Sequence, residues 1–243
     1  MTWVNRLKLY SGILVVLVVV AALTVVFNQR QAQATSASAS IEAERYPVGI
    51  DYGGTVVTSF VKDGQRVTAG QKLFTLQSPS LQSDLAKGLV KPETVAYTVT
   101  DEGIITLTAS VAGTITDTTT EAGSFVQAGQ VLATIDRAGS LFVDAQFVLS
   151  ARDYSRIADG ASVQILLPNQ TTVSGKVSTI DVQTVNGNAE TSIHVASDRL
   201  VEGAYNNLVT PGTPVTARLA LRDDGIFAGV SDGLFAFMMK IGL

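Results

Sequence analysis

The chain has no cysteine and a single histidine, His194. Without cysteine there can be no disulfide, no thiolate metal site and no thiol nucleophile. A single histidine excludes metal sites built from several imidazoles and leaves few of the mechanisms in which histidine serves as the base. We therefore expect a protein that is not an enzyme, with no catalytic, cofactor-binding or metal-binding residues and no cofactor.

Charge is also scarce. Charged residues make up 16% of the 243 residues, and the formal net charge is -4. Aromatic residues make up 7%, and they do not alternate with basic residues. Nucleic-acid binding needs a basic surface or aromatic stacking platforms, so we expect no nucleic-acid partner. The length suits a membrane anchor followed by one or two compact modules.

A long hydrophobic run lies near the N-terminus. Leu9 to Phe27 contains no charged residue, and as a helix it would span about 28 Å, close to the thickness of a bilayer's hydrocarbon core. Arg6 and Lys8 precede the run, whereas only Arg30 follows it closely. This bias predicts a cytoplasmic N-terminus (residues 1–8), a transmembrane helix (9–27) and a chain that continues outside the membrane.

A cleaved signal peptide is the alternative interpretation of this region. Residues 32–34 read Ala-Gln-Ala, which resembles a small-x-small cleavage site. The apolar run is longer than the usual core of a signal peptide, which favours a retained anchor. Residues 28–40 are rich in Gln, Ala and Ser without apolar periodicity, so we expect a flexible stalk there.

The strongest pattern is an internal repeat at a constant offset of 59 residues. Gly54 to Leu76 aligns with Gly113 to Ile135 without a gap, and nine of 23 positions are identical. Glycines recur where tight turns are needed, and short β-branched segments lie between them. Neither copy could bury its apolar face alone, so the two copies are predicted to pair as halves of one β-sandwich.

These residues carry a resemblance to a known family. The segments DGQRVTAGQKLFTL and AGSFVQAGQVLATI resemble the two half-motifs of biotinyl/lipoyl-type domains. Split by an insert and placed after an N-terminal anchor, they resemble HlyD-like membrane fusion proteins, the adaptors of ABC-type and other exporters. The likeness covers about residues 41–222. It implies a split lipoyl-like domain over 41–137, a β-barrel domain over 138–222, and an extracytoplasmic adaptor that forms homo-oligomers on a membrane transporter.

The insert between the half-motifs, residues 77–111, departs from that family. Many members carry a long helical hairpin here, whereas this sequence has no heptads. Ser80 to Lys87 predicts about two helical turns, which Pro92 prevents from continuing. Alternating apolar residues on both sides of Asp101-Glu102-Gly103 then predict a β-hairpin. We expect an adaptor that does not reach a distant outer-membrane duct.

Residues 138–222 predict strands around one short helix. Alternation from Val143 to Leu149 indicates a strand, and Ser150 with Asp153 resembles a capping box at the start of a helix. Asn186-Gly187 indicates a hairpin turn between two further strands. A small antiparallel β-barrel fits this order.

The C-terminal segment, residues 223–243, has apolar residues at helical spacing and predicts an amphipathic helix. Three interpretations stay open: packing on the chain's own barrel, lying at the membrane surface, or docking on a transporter subunit. The fold class is thus mostly β, with an N-terminal transmembrane helix, a lipoyl-like sandwich, a small barrel and this tail.

Two rivals of the adaptor can be weighed from the residues. A lipoyl or biotin carrier needs a lysine at the turn that follows Leu76, where the sequence reads Gln-Ser-Pro-Ser. A cell-wall metallopeptidase needs several histidines. His194 and Gly175-Lys176 are therefore expected to be ordinary strand positions, and Asp223-Asp224 a solvated turn. The remaining alternative is a membrane-anchored scaffold or cell-wall-binding protein without a transporter.

Overall fold

A computed structural model describes residues 12–20, 33–90, 97–185 and 188–222. The described part of the chain is mostly β, which confirms the predicted fold class at that level. It divides into two compact units, Glu42–Leu141 and a second unit made from Met1–Ile41 and Phe142–Leu243. We call the first unit the sandwich and the second the curled-sheet unit.

The sandwich contains two antiparallel sheets. The five-stranded sheet has the order β10-β4-β6-β8-β7, and the four-stranded sheet has the order β3-β11-β9-β5. The strands of this unit are β3 (Arg45–Gly49), β4 (Gly54–Ser59), β5 (Arg66–Val67), β6 (Lys72–Gln77), β7 (Thr98–Val99), β8 (Ile104–Thr108), β9 (Gly113–Thr116), β10 (Phe125–Val126) and β11 (Val131–Arg137).

Alternating side chains from both sheets form the core of the sandwich. Each strand has one apolar face, and burying that face against the other sheet supplies the main favourable free energy of folding. The central buried residues are Val56, Val67, Leu73, Leu76, Ile105, Ile115, Val126, Leu132 and Ile135. Both half-motifs contribute to this single core, as the repeat predicted.

The insert between the half-motifs is short, and its helix packs against the sandwich. Helix α2 (Pro79–Ala86) begins after Ser78, whose hydroxyl accepts a hydrogen bond from the N–H of Leu81, and Leu81 is fully buried. Strands β7 and β8 then form the predicted hairpin. Residues 91–96 lie between these elements, outside the described residues.

The curled-sheet unit contains a seven-stranded antiparallel sheet in the order β1-β16-β13-β14-β15-β12-β2. Its strands are β1 (Gln33–Thr35), β2 (Ser38–Glu42), β12 (Phe142–Leu149), β13 (Ser162–Leu166), β14 (Thr172–Val185), β15 (Asn188–Ala196) and β16 (Thr216–Ala220). Its two edge strands, β1 and β2, are consecutive in the chain. The N–H of Ser36 donates to the carbonyl of Ala217 in β16, and the N–H of Ala37 donates to the carbonyl of Gln146 in β12. One short segment therefore bonds to strands at both ends of the sheet, and the sheet is barrel-like.

Two short helical elements complete this unit. Helix α3 (Ala151–Ser155) begins at Ser150, which accepts a hydrogen bond from the N–H of Asp153 and donates one to its carboxylate. The capping arrangement predicted from sequence is therefore confirmed. Element α4 (Ala204–Asn207) is a single turn in which Tyr205 and Asn206 have positive φ, so it is not a right-handed helix.

The expected flexible stalk over residues 28–40 is wrong where the structure describes it. Residues 33–35 form β1, and residues 38–40 belong to β2. The sequence pattern failed because the segment is ordered by backbone hydrogen bonds to two neighbouring strands, which need no apolar periodicity. Residues 28–32 lie outside the described residues.

The structure describes only residues 12–20 of the predicted transmembrane helix, residues 9–27. Residues 12–20 form helix α1. Among the described residues, no helix is both long enough and apolar enough to cross a membrane. The predicted amphipathic tail, residues 223–243, and the turn at residues 186–187 lie outside the part of the chain that is described, although β14 and β15 pair on both sides of that turn.

Candidate functional site

The two half-motifs exchange strands with each other. Strand β5 of the first copy pairs with β9 of the second, joining Val67 to Gly113. Strand β10 of the second copy pairs with β4 of the first, joining Val126 to Gly54. The two pairings are the same contact related by the 59-residue offset. Each copy therefore completes the other, and the sandwich has an internal pseudo-twofold axis.

The repeat extends further in the structure than in the sequence. The N–H of Gly70 bonds to the carbonyl of Ala109 at 2.7 Å, and its equivalent, the N–H of Gly129, bonds to Ile50 at 2.7 Å. The N–H of Ser78 also donates to the carbonyl of Gly103, and at the equivalent position the N–H of Arg137 donates to the carbonyl of Glu44. The true copies are thus residues 44–78 and 103–137.

Sequence comparison missed the first ten residues of each copy. Residues 44–53 and 103–112 share no identical residue at the 59-residue offset. What they share is backbone pairing, because β3 and β8 are equivalent outer strands that pair with β11 and β6. Two equivalent positions are also buried and apolar in both copies, Val48 with Leu107 and Ile50 with Ala109, but without identical residues the offset does not stand out in the sequence.

The shared turn residues have a direct physical role. Gly64 and Gly123 have φ of 77° and 91°, and Gly70 and Gly129 have φ of 81° and 82°. Residues with a Cβ rarely adopt such values. After the second turn of each copy, a glutamine side chain accepts a backbone hydrogen bond: Gln71 from Thr68 and Gln130 from Gln127. These turns are held by the same local chemistry in both copies.

The turn where a carrier domain would present its lysine has a structural role here. Ser78 is fully buried, and its hydroxyl donates to the carbonyl of Gly53 at 2.7 Å while capping α2. The loop therefore anchors the insert to the sandwich. This arrangement offers no exposed amine for covalent attachment at that turn.

The outer face of the four-stranded sheet carries a covered carboxylate. Asp136 is 8% exposed, and its Oδ1 lies 3.7 Å from Nε of Arg45 on the neighbouring strand. Burial raises the pKa of Asp136 above its ordinary value, and the nearby Arg45 only partly opposes that rise. In the first copy the equivalent residue is Gln77. The four-stranded sheet therefore has a carboxylate where the five-stranded sheet has an uncharged amide.

The residues singled out in the curled-sheet unit occupy strands. His194 lies half-exposed in β15 directly opposite Asp144, with Nε2 3.9 Å from the carboxylate. Ser192 donates to the same Asp144 at 2.5 Å. The serine therefore bonds the acid and not the imidazole, which is not the order that nucleophilic catalysis requires. Gly175 and Lys176 are strand positions paired with β13. Within the described ranges, no three His, Asp or Glu residues form a metal-binding group.

Comparison with known families identifies the sandwich. The family described as "CusB, barrel-sandwich hybrid domain" matches residues 53–136, about a third of the chain. The sandwich is a barrel-sandwich hybrid domain. The match covers both half-motifs and the short insert between them. The resemblance to membrane fusion proteins that the half-motifs indicated is therefore confirmed.

Solved structures share the fold over most of the chain. ZneB from Cupriavidus metallidurans has a TM-score of 0.56 at 16% identity, covering 79% of this chain and 99% of that chain. A MacA–MexA chimera with the Pseudomonas aeruginosa MexA α-hairpin domain has a TM-score of 0.57 at 14% identity, covering 79% and 83%. The membrane fusion protein Spr0693 from Streptococcus pneumoniae R6 has a TM-score of 0.50 at 14% identity, covering 77% and 99%.

These low identities establish a common fold and not a common partner. No curated protein matches the sequence.

Proposed function

We propose that this protein is an extracytoplasmic adaptor of an export system, which assembles on a membrane transporter and performs no chemistry of its own. The observation that carries the proposal is the split barrel-sandwich hybrid domain, built from two strand-exchanged copies and followed by a second β unit. One of the solved structures that share the fold is named a membrane fusion protein.

A rigid block suits an adaptor. Each copy of the repeat supplies strands to the other, and the two copies share one core of fully buried residues such as Leu73 and Leu132. Local unfolding of one copy would expose the core of the other, so the block opens only as a whole. An adaptor needs such a block because its role is to hold contact surfaces in place and not to supply reactive groups.

The short insert limits how far the adaptor extends. Between β6 and β8 the described residues contain one eight-residue helix, α2, and the short strand β7. Helix α2 would be about 12 Å long. An adaptor of this form would act close to its own membrane, and a cell envelope with a single membrane is its natural setting.

We propose a single membrane anchor and an ABC-type transporter as the partner. The uncharged run from Leu9 to Phe27 would anchor the chain once, with residues 28–243 outside the cytoplasm. An ABC-type transporter is the partner we propose, because the half-motifs resemble those of adaptors that serve such exporters. The domain boundaries expected from sequence, 41–137 and 138–222, would then lie outside the cytoplasm, with the strands of residues 33–41 added to the second domain.

Topology and partnership can be tested in intact cells. Asp159 lies exposed in a loop, and the chain has no cysteine. Asp159→Cys should therefore react with a membrane-impermeant maleimide from outside. Labelling that requires cell lysis would contradict the topology.

Purification of the tagged full-length protein in mild detergent tests the partner. Co-purification of an ABC ATPase and permease is the expected result. Recovery with cell-wall fragments and without any transporter would favour the alternative, a membrane-anchored cell-wall-binding scaffold.

A further inference from the structure

The chain enters and leaves the curled-sheet unit at neighbouring points. Strand β1 pairs antiparallel with β16, and Gln33, the first residue of β1, lies opposite Ala220, the last residue of β16. Paired strands are about 4.8 Å apart. The segment before β1 and the segment after β16 therefore leave the sheet at the same end. We call this the entry end.

The exit point of the chain is fixed as far as Arg222. The N–H of Arg222 donates to the carbonyl of Arg156 at 2.9 Å, and Nε of Arg156 donates to the carbonyl of Arg222 at 2.8 Å. Arg156 is 5% exposed and follows α3 directly. Because these two hydrogen bonds hold the backbone, residues 223–243 begin at the entry end of the sheet.

Only a short segment separates the entry end from the predicted anchor. Phe27 ends the uncharged run, and Gln33 begins β1. Six residue steps reach at most about 20 Å, even when they are fully extended. With the anchor retained, as proposed above, the entry end stays within about 20 Å of the membrane.

Two exposed apolar side chains lie near the same end. Strand β12 ends at Leu149, and α3 leads from there to Arg156, which bonds to Arg222 at the entry end. Val148 is 59% exposed, and Tyr154 in α3 is 40% exposed. Apolar side chains at this end of the unit suit contact with a lipid surface.

The sequence of the C-terminal segment has the pattern of an interfacial helix. Six apolar residues share one face at 3.6 residues per turn: Phe227, Val230, Leu234, Phe237, Met238 and Ile241. Asp232 and Lys240 fall on the opposite face. Asp232 lies near the middle of the segment, which argues against a second membrane span. Acidic residues outnumber basic ones in residues 223–243, so apolar burial and not charge would drive binding to lipid.

We propose that residues 226–243 bind the membrane surface beside the anchor, with their apolar face among the lipid acyl chains. This inference rests on the single anchor of the proposed function. Lipid is the occupant we assign to the apolar face, because the tether brings the start of this segment to the bilayer before any transporter binds. Two attachments at one end would fix the direction in which the strands of the curled-sheet unit rise from the membrane, whereas the anchor alone lets the unit pivot.

Single fluorescent labels on the full-length chain test the contact, since the chain has no cysteine. Leu234→Cys places a label on the apolar face, and Asp232→Cys places the same label on the opposite face. Both proteins are reconstituted in phosphatidylcholine vesicles without a transporter. Nitroxide groups on the acyl chains should quench the label at position 234 about threefold more strongly, because an interfacial helix buries its apolar face about 5–10 Å deep. Anionic lipid should not increase this difference.

A matched pair of substitutions tests which face makes the contact. Added to Leu234→Cys, Phe237→Asp should remove most of the quenching, because it places a charge in the apolar face. Lys240→Asp, on the opposite face, should leave the quenching in place. Equal and weak quenching at positions 232 and 234 would overturn the lipid contact. In that case, shielding of position 234 from an aqueous quencher would indicate packing on the protein itself, and shielding only after a transporter is added would indicate docking on that subunit.

A second pair of labels tests the position of the entry end without involving the tail. Asp159 lies exposed before β13, on the side of the entry end, and Pro168 lies exposed beyond the other end of that strand. Energy transfer to an acceptor on the lipid headgroups should be about twofold stronger from Asp159→Cys than from Pro168→Cys, because a strand of about 17 Å separates the two loops. Equal or reversed transfer would overturn the placement and the inference with it.

The outcomes also separate this inference from the adaptor function. Neither label experiment contains a transporter, so a negative result would overturn the lipid contact and leave the adaptor function standing. Failure to co-purify a transporter, together with strong quenching at position 234, would overturn the adaptor function and leave the lipid contact standing. Loss of the anchor from the mature chain would overturn this inference and the proposed topology together.

Discussion

Gly54 and Gly113 are the positions where the strand exchange is most sensitive to a single added methyl group. A Cβ at Gly113 would overlap the backbone carbonyl oxygen of Asp136 and approach Cγ2 of Ile135 to 2.8 Å. A Cβ at Gly54 would overlap the equivalent carbonyl oxygen, that of Gln77. Backbone atoms cannot rotate away, so Gly113→Ala must push β9 away from β11.

The cost of Gly113→Ala can be estimated from the contacts it disturbs. Overpacking in a core costs about 1–3 kcal/mol. Displacing β9 also strains its pairing with β5, where Val67 faces Gly113, and each lost hydrogen bond adds about 1 kcal/mol. We expect a loss of about 3–5 kcal/mol, a large part of the stability of an ordinary domain.

Gly64→Ala provides the matched control. Gly64 has a φ of 77°, but a Cβ there would meet nothing within 4 Å. Only the cost of the left-handed backbone remains, about 1 kcal/mol. Urea unfolding of the full-length protein, followed by hydrogen exchange of the sandwich amides, should separate the two variants clearly. Equal losses of stability for Gly113→Ala and Gly64→Ala would refute the close-approach argument.

Three further changes test other parts of the structure. Because the pKa of Asp136 is raised, the folded state binds this proton more tightly than the unfolded state does. The free energy of unfolding should therefore fall as the pH rises from the ordinary aspartate value of 3.8 through the raised pKa; Asp136→Asn should flatten that part of the pH profile, and an unchanged profile would contradict the assignment. Ser78→Ala should cost about 1–2 kcal/mol in urea unfolding, since it removes a helix cap and leaves the carbonyl of Gly53 without its donor. Asn206→Gly should stabilise the chain by up to about 1 kcal/mol, because Asn206 has a φ of 62°; a lower thermal midpoint would show that its side chain matters more than its backbone.

The sequence was informative where a local rule decides the structure. Gly64 and Gly123 mark turns that need positive φ, and Val67 and Val126, three residues after them, are buried. Ser150 was predicted to cap a helix, because its side-chain oxygen can satisfy a free N–H. Ser78 caps α2 in the same way, although the sequence had placed the start of that helix at Ser80. Each of these features is settled within a few residues, so the pattern is visible without the fold.

The sequence-based predictions failed where residues distant in the sequence determine the local structure. Residues 33–40 read as a flexible stalk, yet they pair with strands that lie more than a hundred residues away in sequence. The outer strands β3 and β8 were missed as repeats because they share backbone pairing and buried apolar positions but no identical residue. The left-handed turn at Tyr205 has no motif either, since its conformation is set by the loop that it closes.

The internal repeat separates what folding requires from what surfaces are free to vary. Val67 and Val126, like Leu73 and Leu132, are identical and buried in one shared core, where a change of volume in either copy would be costly. Arg66 precedes Val67 and Phe125 precedes Val126, at outward positions where the two copies differ.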